Sequence, residues 1–189
     1  MNGLVLLPAI GHRRMRWANG SGATSEIMVS PPGAGMHNFL WRASIADIDR
    51  PGPFSPLPGI DRSIMVLDGL LRLRIDAMAP IRLAPDTPPF SFSGDAAVFA
   101  QPEGRPVADF SMMTRRGQAS ARVQVVGGRI PCRHGEMLLL AIEPTTLEMD
   151  GRQITLCQRD CAYLPKGPER DVFASRPIIC AEMTRPIRG

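Results

Sequence analysis

The sequence predicts an all-β protein, and three observations carry that prediction. Glycine and proline together supply 37 of the 189 residues, a density that interrupts helices and suits short strands joined by turns. No long window places apolar residues at the 3.6-residue helical period. Alternation with a period of two recurs instead along most of the chain.

The strands follow in order. TSEIMV (24–29) is the first. In FLWRASIADI (39–48), Phe39, Trp41, Ala43 and Ile45 point one way, and Leu40, Arg42, Ser44 and Ala46 the other. Both faces are partly apolar, as in a strand lying between a core and a cavity. RSIMVLDGLLRLRI (62–75) reads as a hairpin, because Asp68-Gly69 between two apolar runs accepts the positive φ angles of a type I′ turn. DAAVFA, VADFSMM, ARVQVV and EMLLLAIE continue the pattern. TLEMDGRQITL repeats the hairpin device around Asp150-Gly151, and PIICAEM is the last strand.

The two hairpins have similar sequels. Gly94-Asp95 and Pro102-Glu103-Gly104 follow the first, and Asp160 and Pro165-Lys166-Gly167 follow the second. The repeat predicts an internal duplication with its seam near Arg116-Gly117-Gln118-Ala119. The expected units are residues 1–116 and a shorter 117–189, sharing strands between them. Two fused double-sheet barrels of the jelly-roll or cupin type fit this order, with a single large sandwich as the alternative.

Composition narrows the function classes. An apolar fraction of 44% and a charged fraction of 21% are ordinary for a globular protein. The net charge of +4 comes from 21 arginines and the single lysine, Lys166, scattered rather than clustered. With one tyrosine and seven phenylalanines there is no aromatic platform for bases, so nucleic acid is not an expected partner. No stretch approaches the roughly 20 apolar residues of a membrane span. LVLLPAI near the start has no basic residues before it and no small-residue cleavage site after it. A cytoplasmic protein with free thiols at Cys132, Cys157, Cys161 and Cys180 is therefore expected.

Three segments carry candidate chemistry. RWANGSGAT sets Trp17 and Asn19 beside a pliable Gly-Ser-Gly run that ends at Thr24. No Gly-Lys-Ser/Thr follows, so this is no phosphate-binding Walker loop. It is either a plain turn or a pocket edge where Asn19 both donates and accepts hydrogen bonds. GPFSPLPGIDR (52–62) packs three prolines around Phe54 and Ser55 and ends at Arg62. Arg62 and Arg42 together could fork a carboxylate, or could form surface ion pairs. VADFSMMTRR places Asp109, Ser111, Met113 and Arg115 on one face of a strand and Ala108, Phe110 and Met112 on the other. That is a cavity face opposite a core face, and a buried Asp109 would need a partner such as an arginine on a neighbouring strand.

Metal chemistry is not expected. His12, His37 and His134 are isolated, and of the cysteines only Cys157 and Cys161 approach zinc-ligand spacing. No other cofactor motif is present, and there is no G-x-S-x-G nucleophile elbow.

Three blocks, WANGSGATSEI, FLWRASIADIDRPGPFSPLPGIDRSIMVLDG and FSGDAAVFAQPEGRPVADFSMMTRR, resemble the HutD/Ves family of bicupin-like bacterial proteins associated with histidine utilisation. They span most of residues 14–116, with a looser match at Asp-x-Ala-Tyr-Leu-Pro of 160–165. Family members often read W-x-N-G-G-G and D-F-N, where this chain has Ser21 and Ser111. The resemblance implies two fused cupin-like barrels without a dedicated metal. It also implies a role beside histidine degradation, whose intermediates are small carboxylates such as urocanate, formiminoglutamate and formylglutamate. RWANGSGAT would then bring Asn19 to the same space as Arg42 and Arg62.

The expected ligand contacts are Trp17, Asn19, Thr24, Arg42, Ser44, Phe54, Ser55, Arg62, Asp109, Ser111, Met113 and Arg115. They predict a non-enzymatic module for a small anionic metabolite. A metal-free isomerase or hydrolase with Asp109 as base, and a protein–protein regulatory module, are the alternatives. Cupin-like domains often pair through strands, so a homodimer is a further expectation.

Overall fold

The computed structural model describes residues 3–133 and 135–186. Among these, one 3-10 turn at Ala9–Gly11 is the only helical element and seventeen strands make up the rest of the regular structure. Among the described residues, no helix is long and apolar enough to cross a membrane.

The chain forms two compact units. One is Arg13–Gln118, and the other joins residues 3–12 to the segment that begins at Ala119. The seam expected at 116/117 therefore falls at 118/119, and the first residues belong with the later unit. Pairing explains the exchange. Strand β1 (Val5–Leu7) runs antiparallel to the distant segment Cys161–Leu164, with Leu6 opposite Ala162. The Asp160 carboxylate adds a bond from the Ala9 N–H at 2.8 Å.

Within Arg13–Gln118 the larger sheet has six strands. Their order is β2 (Arg13–Arg16), β3 (Gly22–Ser30), β4 (Trp41–Ile48), β11 (Val107–Arg115), β6 (Ile60–Asp68) and β9 (Phe90–Ser93). The smaller has four, in the order β5 (Gly52–Pro53), β10 (Val98–Pro102), β7 (Leu71–Ile75) and β8 (Ile81–Leu83). Ile64, Val66 and Val107 of the larger sheet form one core with Leu71, Leu73, Ile75, Val98 and Ala100 of the smaller. Each leucine, isoleucine or valine there contributes about 1.5–3 kcal/mol when fully buried.

The Asp68-Gly69 hairpin is not there. β6 pairs with β11 and β9, whereas β7 pairs with β10 and β8, so the dipeptide carries the chain from one sheet to the other. Gly69 alone has positive φ, at 85°, where a type I′ turn needs both central residues positive.

The other unit contains one seven-stranded sheet. Its order is β1, β16 (Cys161–Leu164), β13 (Glu136–Ala141), β17 (Arg170–Thr184), β14 (Thr145–Met149) and β15 (Arg152–Leu156), with β12 (Ser120–Cys132) also on β17. Here Asp150-Gly151 does make the expected hairpin. Met149 pairs with Arg152, and both turn residues have positive φ, 52° and 71°. The core of this unit is apolar, with Leu139, Leu147, Leu164, Val172, Ile178 and both Cys132 and Cys180 in one cluster.

Candidate ligand-binding site

The inward face of the six-stranded sheet is a grid fixed by strand register. Met113 on β11 lies between Arg42 on β4 and Arg62 on β6, and Arg62 faces Phe92 on β9. Two residues along, Ser111 lies between Ser44 and Ile64, and Ser44 faces Glu26 on β3. Two further, Asp109 lies between Ala46 and Val66, and Ala46 faces Thr24. The alternation read from β4 and β11 thus sets a cationic row, a hydroxyl row and a carboxyl row side by side. The opposite faces carry Trp41, Ala43, Ile45, Phe110 and Met112, all buried.

A pocket of about 350 Å³ opens over this grid. Its other walls are Trp17, Ala18 and Asn19 from the turn between β2 and β3, Pro53, Phe54, Ser55 and Leu57 from the proline-rich loop, and Met15 and Met36. Eleven of the twelve expected contacts meet here: Trp17, Asn19, Thr24, Arg42, Ser44, Phe54, Ser55, Arg62, Asp109, Ser111 and Met113. Arg115 does not. It shares their parity, but it ends β11, and its guanidinium is held by the carbonyls of Phe39 and His37, both at 2.8 Å.

The wall loops are shaped by their own bonds. Asn19 Oδ1 accepts from both the N–H and the hydroxyl of Ser21, which closes the turn, while Trp17 Nε1 donates to Thr24 Oγ1 at 2.7 Å. Gly22 has no room for a Cβ, which would lie 2.2 Å from the Asp47 carbonyl oxygen. RWANGSGAT is therefore a turn and a pocket edge at once. Phe54 and Leu57 are pinned by backbone bonds to the carbonyls of Val98 and Gly94.

The two arginines differ. Both are buried, Arg42 at 6% and Arg62 at 8% exposure, so they are not surface ion pairs. Arg42 Nε donates to Glu26 Oε2 at 2.7 Å, which neutralises it within the protein. The sequence reading missed Glu26, although the alternation of TSEIMV puts it on the face of Thr24. Arg62 is held by rings, its guanidinium carbon 4.7 Å from the Phe54 centroid and 5.1 Å from that of Phe92. Stacked rings occupy guanidinium faces and leave its edges for hydrogen bonds.

Three polar atoms on this grid are sealed from water with no hydrogen-bond partner in the protein: Arg62 Nε, Asp109 Oδ2 and Ser111 Oγ. Burial pushes the Asp109 carboxyl up to about 7, with Arg62 opposing the rise and Asp47 adding to it. Burial also lowers Arg62 to about 10, which Asp109 offsets and Arg42 reinforces. Such groups are costly when unpaired, and a ligand with complementary groups would relieve them.

Among the described residues no three His, Cys, Asp or Glu side chains gather as a metal site. His134 lies outside the described residues. Cys132, Cys161 and Cys180 are buried and Cys157 is exposed, all as free thiols. Desolvation raises Cys132 to about 11 and Cys180 to about 12, as expected of packing residues rather than nucleophiles.

Comparison with known proteins agrees with this architecture. An uncharacterized 21.2 kDa protein in the hutC 3′ region of Pseudomonas putida is 36% identical over 174 residues, covering 89% of this chain and 90% of that protein. Protein Ves of Citrobacter koseri is 40% identical over 110 residues, 58% of this chain and 56% of Ves, so the match spans little more than half of that relative. The structure of HutD from Pseudomonas fluorescens SBW25, in a formate condition, superposes with a TM-score of 0.87 at 29% identity, over 99% of this chain and 100% of that one. A cupin 2 conserved barrel protein from Leptotrichia buccalis, at 10% identity and a TM-score of 0.58, shares the fold alone. The model of the HutD family matches residues 9–178, and the chain belongs to that family.

Proposed function

We propose that this protein binds a small carboxylate-bearing metabolite and thereby moderates histidine utilisation. Formylglutamate and urocanate are the intermediates proposed as ligands. The family and the hutC-region relative support the association with that pathway. The observation that carries the binding role is the buried Arg62 Nε without a hydrogen-bond partner, in a pocket lined by both polar and apolar side chains. A ligand carboxylate would accept from Arg62 in the plane of its guanidinium, and the Ser111 hydroxyl could donate to its second oxygen. Arg42 lines the same pocket, with its Nε paired to Glu26.

Titration calorimetry with urocanate, formiminoglutamate and formylglutamate tests the reading. At least one binds the native protein, and Arg62→Gln weakens it about 100-fold or more, since hydrogen bonds to a charged group are worth about 1.5–3 kcal/mol each. No binding by any of the three overturns it.

One observation favours a second reading. A carboxyl held near 7 in a pocket has the proton affinity a general base needs. If Asp109 acts so, incubation with a pathway carboxylate yields a product, and Asp109→Asn stops product formation while affinity persists.

A further inference from the structure

The grid has two ends, and Arg62 accounts for only one. Asp109 stands at the other, fully buried, with Oδ2 lacking any partner. A carboxylate alone on Arg62 would leave that oxygen unpaired and would bring a second negative charge toward it. Accepting the binding role proposed above, we propose that the ligand has two recognition points, an anionic group for Arg62 and an N–H donor for Asp109, with Ser111 between them.

The geometry sets the span. Met113, in register with Arg62, is four residues from Asp109 on the same strand, about 13 Å between the rows at the backbone. Arg62 and Asp109 are near enough to influence each other electrostatically, and a molecule filling about 350 Å³ can bridge them. The neighbours of Asp109 across the sheet, Ala46 and Val66, offer it nothing polar. Thr24, next in that row, accepts a bond from Trp17 and makes none to Asp109 Oδ2. The hydroxyl of Ser111 donates or accepts as the middle of the ligand requires. The other charges around the site are spoken for, Arg42 by Glu26 and Asp47 by Arg14. No donor of the protein is bonded to Asp109 Oδ2, so the ligand is the group proposed to supply one.

Matched probes separate this from a plain carboxylate site. Urocanate and cinnamate share a planar acrylate, and only urocanate has ring N–H. N-formylglutamate and its N-methyl derivative differ at the amide hydrogen. Calorimetry at pH 8, where the Asp109 carboxyl is mostly ionised, is expected to show the N–H member of a pair binding about ten- to a hundred-fold tighter. Asp109→Asn narrows that preference and Asp109→Leu abolishes it, while affinity for the donor-free member holds or rises. Equal affinity within both pairs for the native protein overturns the inference and leaves the carboxylate site standing, whether or not the variants fold. A preference that survives Asp109→Leu in a folded variant overturns it as well. If none of the four probes binds, both readings fall.

Discussion

Strands β11 and β13 are both almost wholly buried, yet their interiors differ in kind. On β13, Met137, Leu139 and Ala141 belong to one apolar cluster with the facing Leu164, Ala162, Cys180 and Ile178, and only Glu182, opposite Met137, is charged. On β11, the equivalent alternation yields Asp109, Ser111 and Met113, flanked by Arg42, Ser44 and Arg62. A barrel that needed only stability could be built throughout like the first. The second holds polar atoms without partners, each at a cost of about 1–3 kcal/mol. Stability does not explain them, and the binding role proposed above gives them a purpose.

The sharpest way to break the contrast is to give β13 the chemistry of β11. Leu139→Asp puts an isolated carboxyl into a cluster with no cation in it, and should cost more than about 4 kcal/mol. Urea unfolding of the purified protein measures this. A loss below about 1 kcal/mol would mean that water reaches the cluster, and the distinction between the two interiors would disappear.

The reverse change is milder and depends on pH. The Asp109 carboxyl has an ordinary value of 3.8 and stands at about 7 in the folded chain. Between those values the folded state holds a proton that the unfolded chain has released. Stability conferred by this group therefore falls as pH rises from about 4 to 7, at about 1.4 kcal/mol per pH unit at most, and is level above. Asp109→Asn lacks that slope. Its Tm is expected to draw ahead of the native Tm as pH rises through this window, with the gap constant at pH 8 and above. Parallel Tm profiles would show that Asp109 is solvated. Bound ligand with a donor should shrink the gap, because it pairs the ionised form.

Much of the site was legible because period-two alternation assigns side chains to faces without knowledge of the partner strands. That is how β4 and β11 disclosed Arg42, Ser44, Asp109, Ser111 and Met113. Parity does not say what stands opposite. Glu26 and Phe92 reach the arginines through register with β3 and β9, set by pairing between segments far apart in the chain. Arg115 has the right parity, but two backbone carbonyls beyond the strand end take it out of the pocket. The same limit applies to β1, whose partner lies some 150 residues away and which carries its flanking residues into the other unit.

The two Asp-Gly dipeptides put that limit in its simplest form. At 150–151 the flanking strands pair with each other, and Gly151 faces open space, with no heavy atom within 4 Å of where a Cβ would stand. Gly151→Ala therefore meets only the left-handed backbone penalty, roughly 1 kcal/mol. At 68–69 the strands part into different sheets, and a Cβ on Gly69 would lie 2.9 Å from the Pro106 carbonyl oxygen and 3.0 Å from Val107 Cγ2. Gly69→Ala adds that crowding against β11 to the same penalty, for about 2–3 kcal/mol in all. Thermal unfolding of the two variants side by side checks the order. Equal losses would mean that the crossing relaxes freely, and then Gly69 would not hold the Val107 end of β11, two residues from Asp109, in its place.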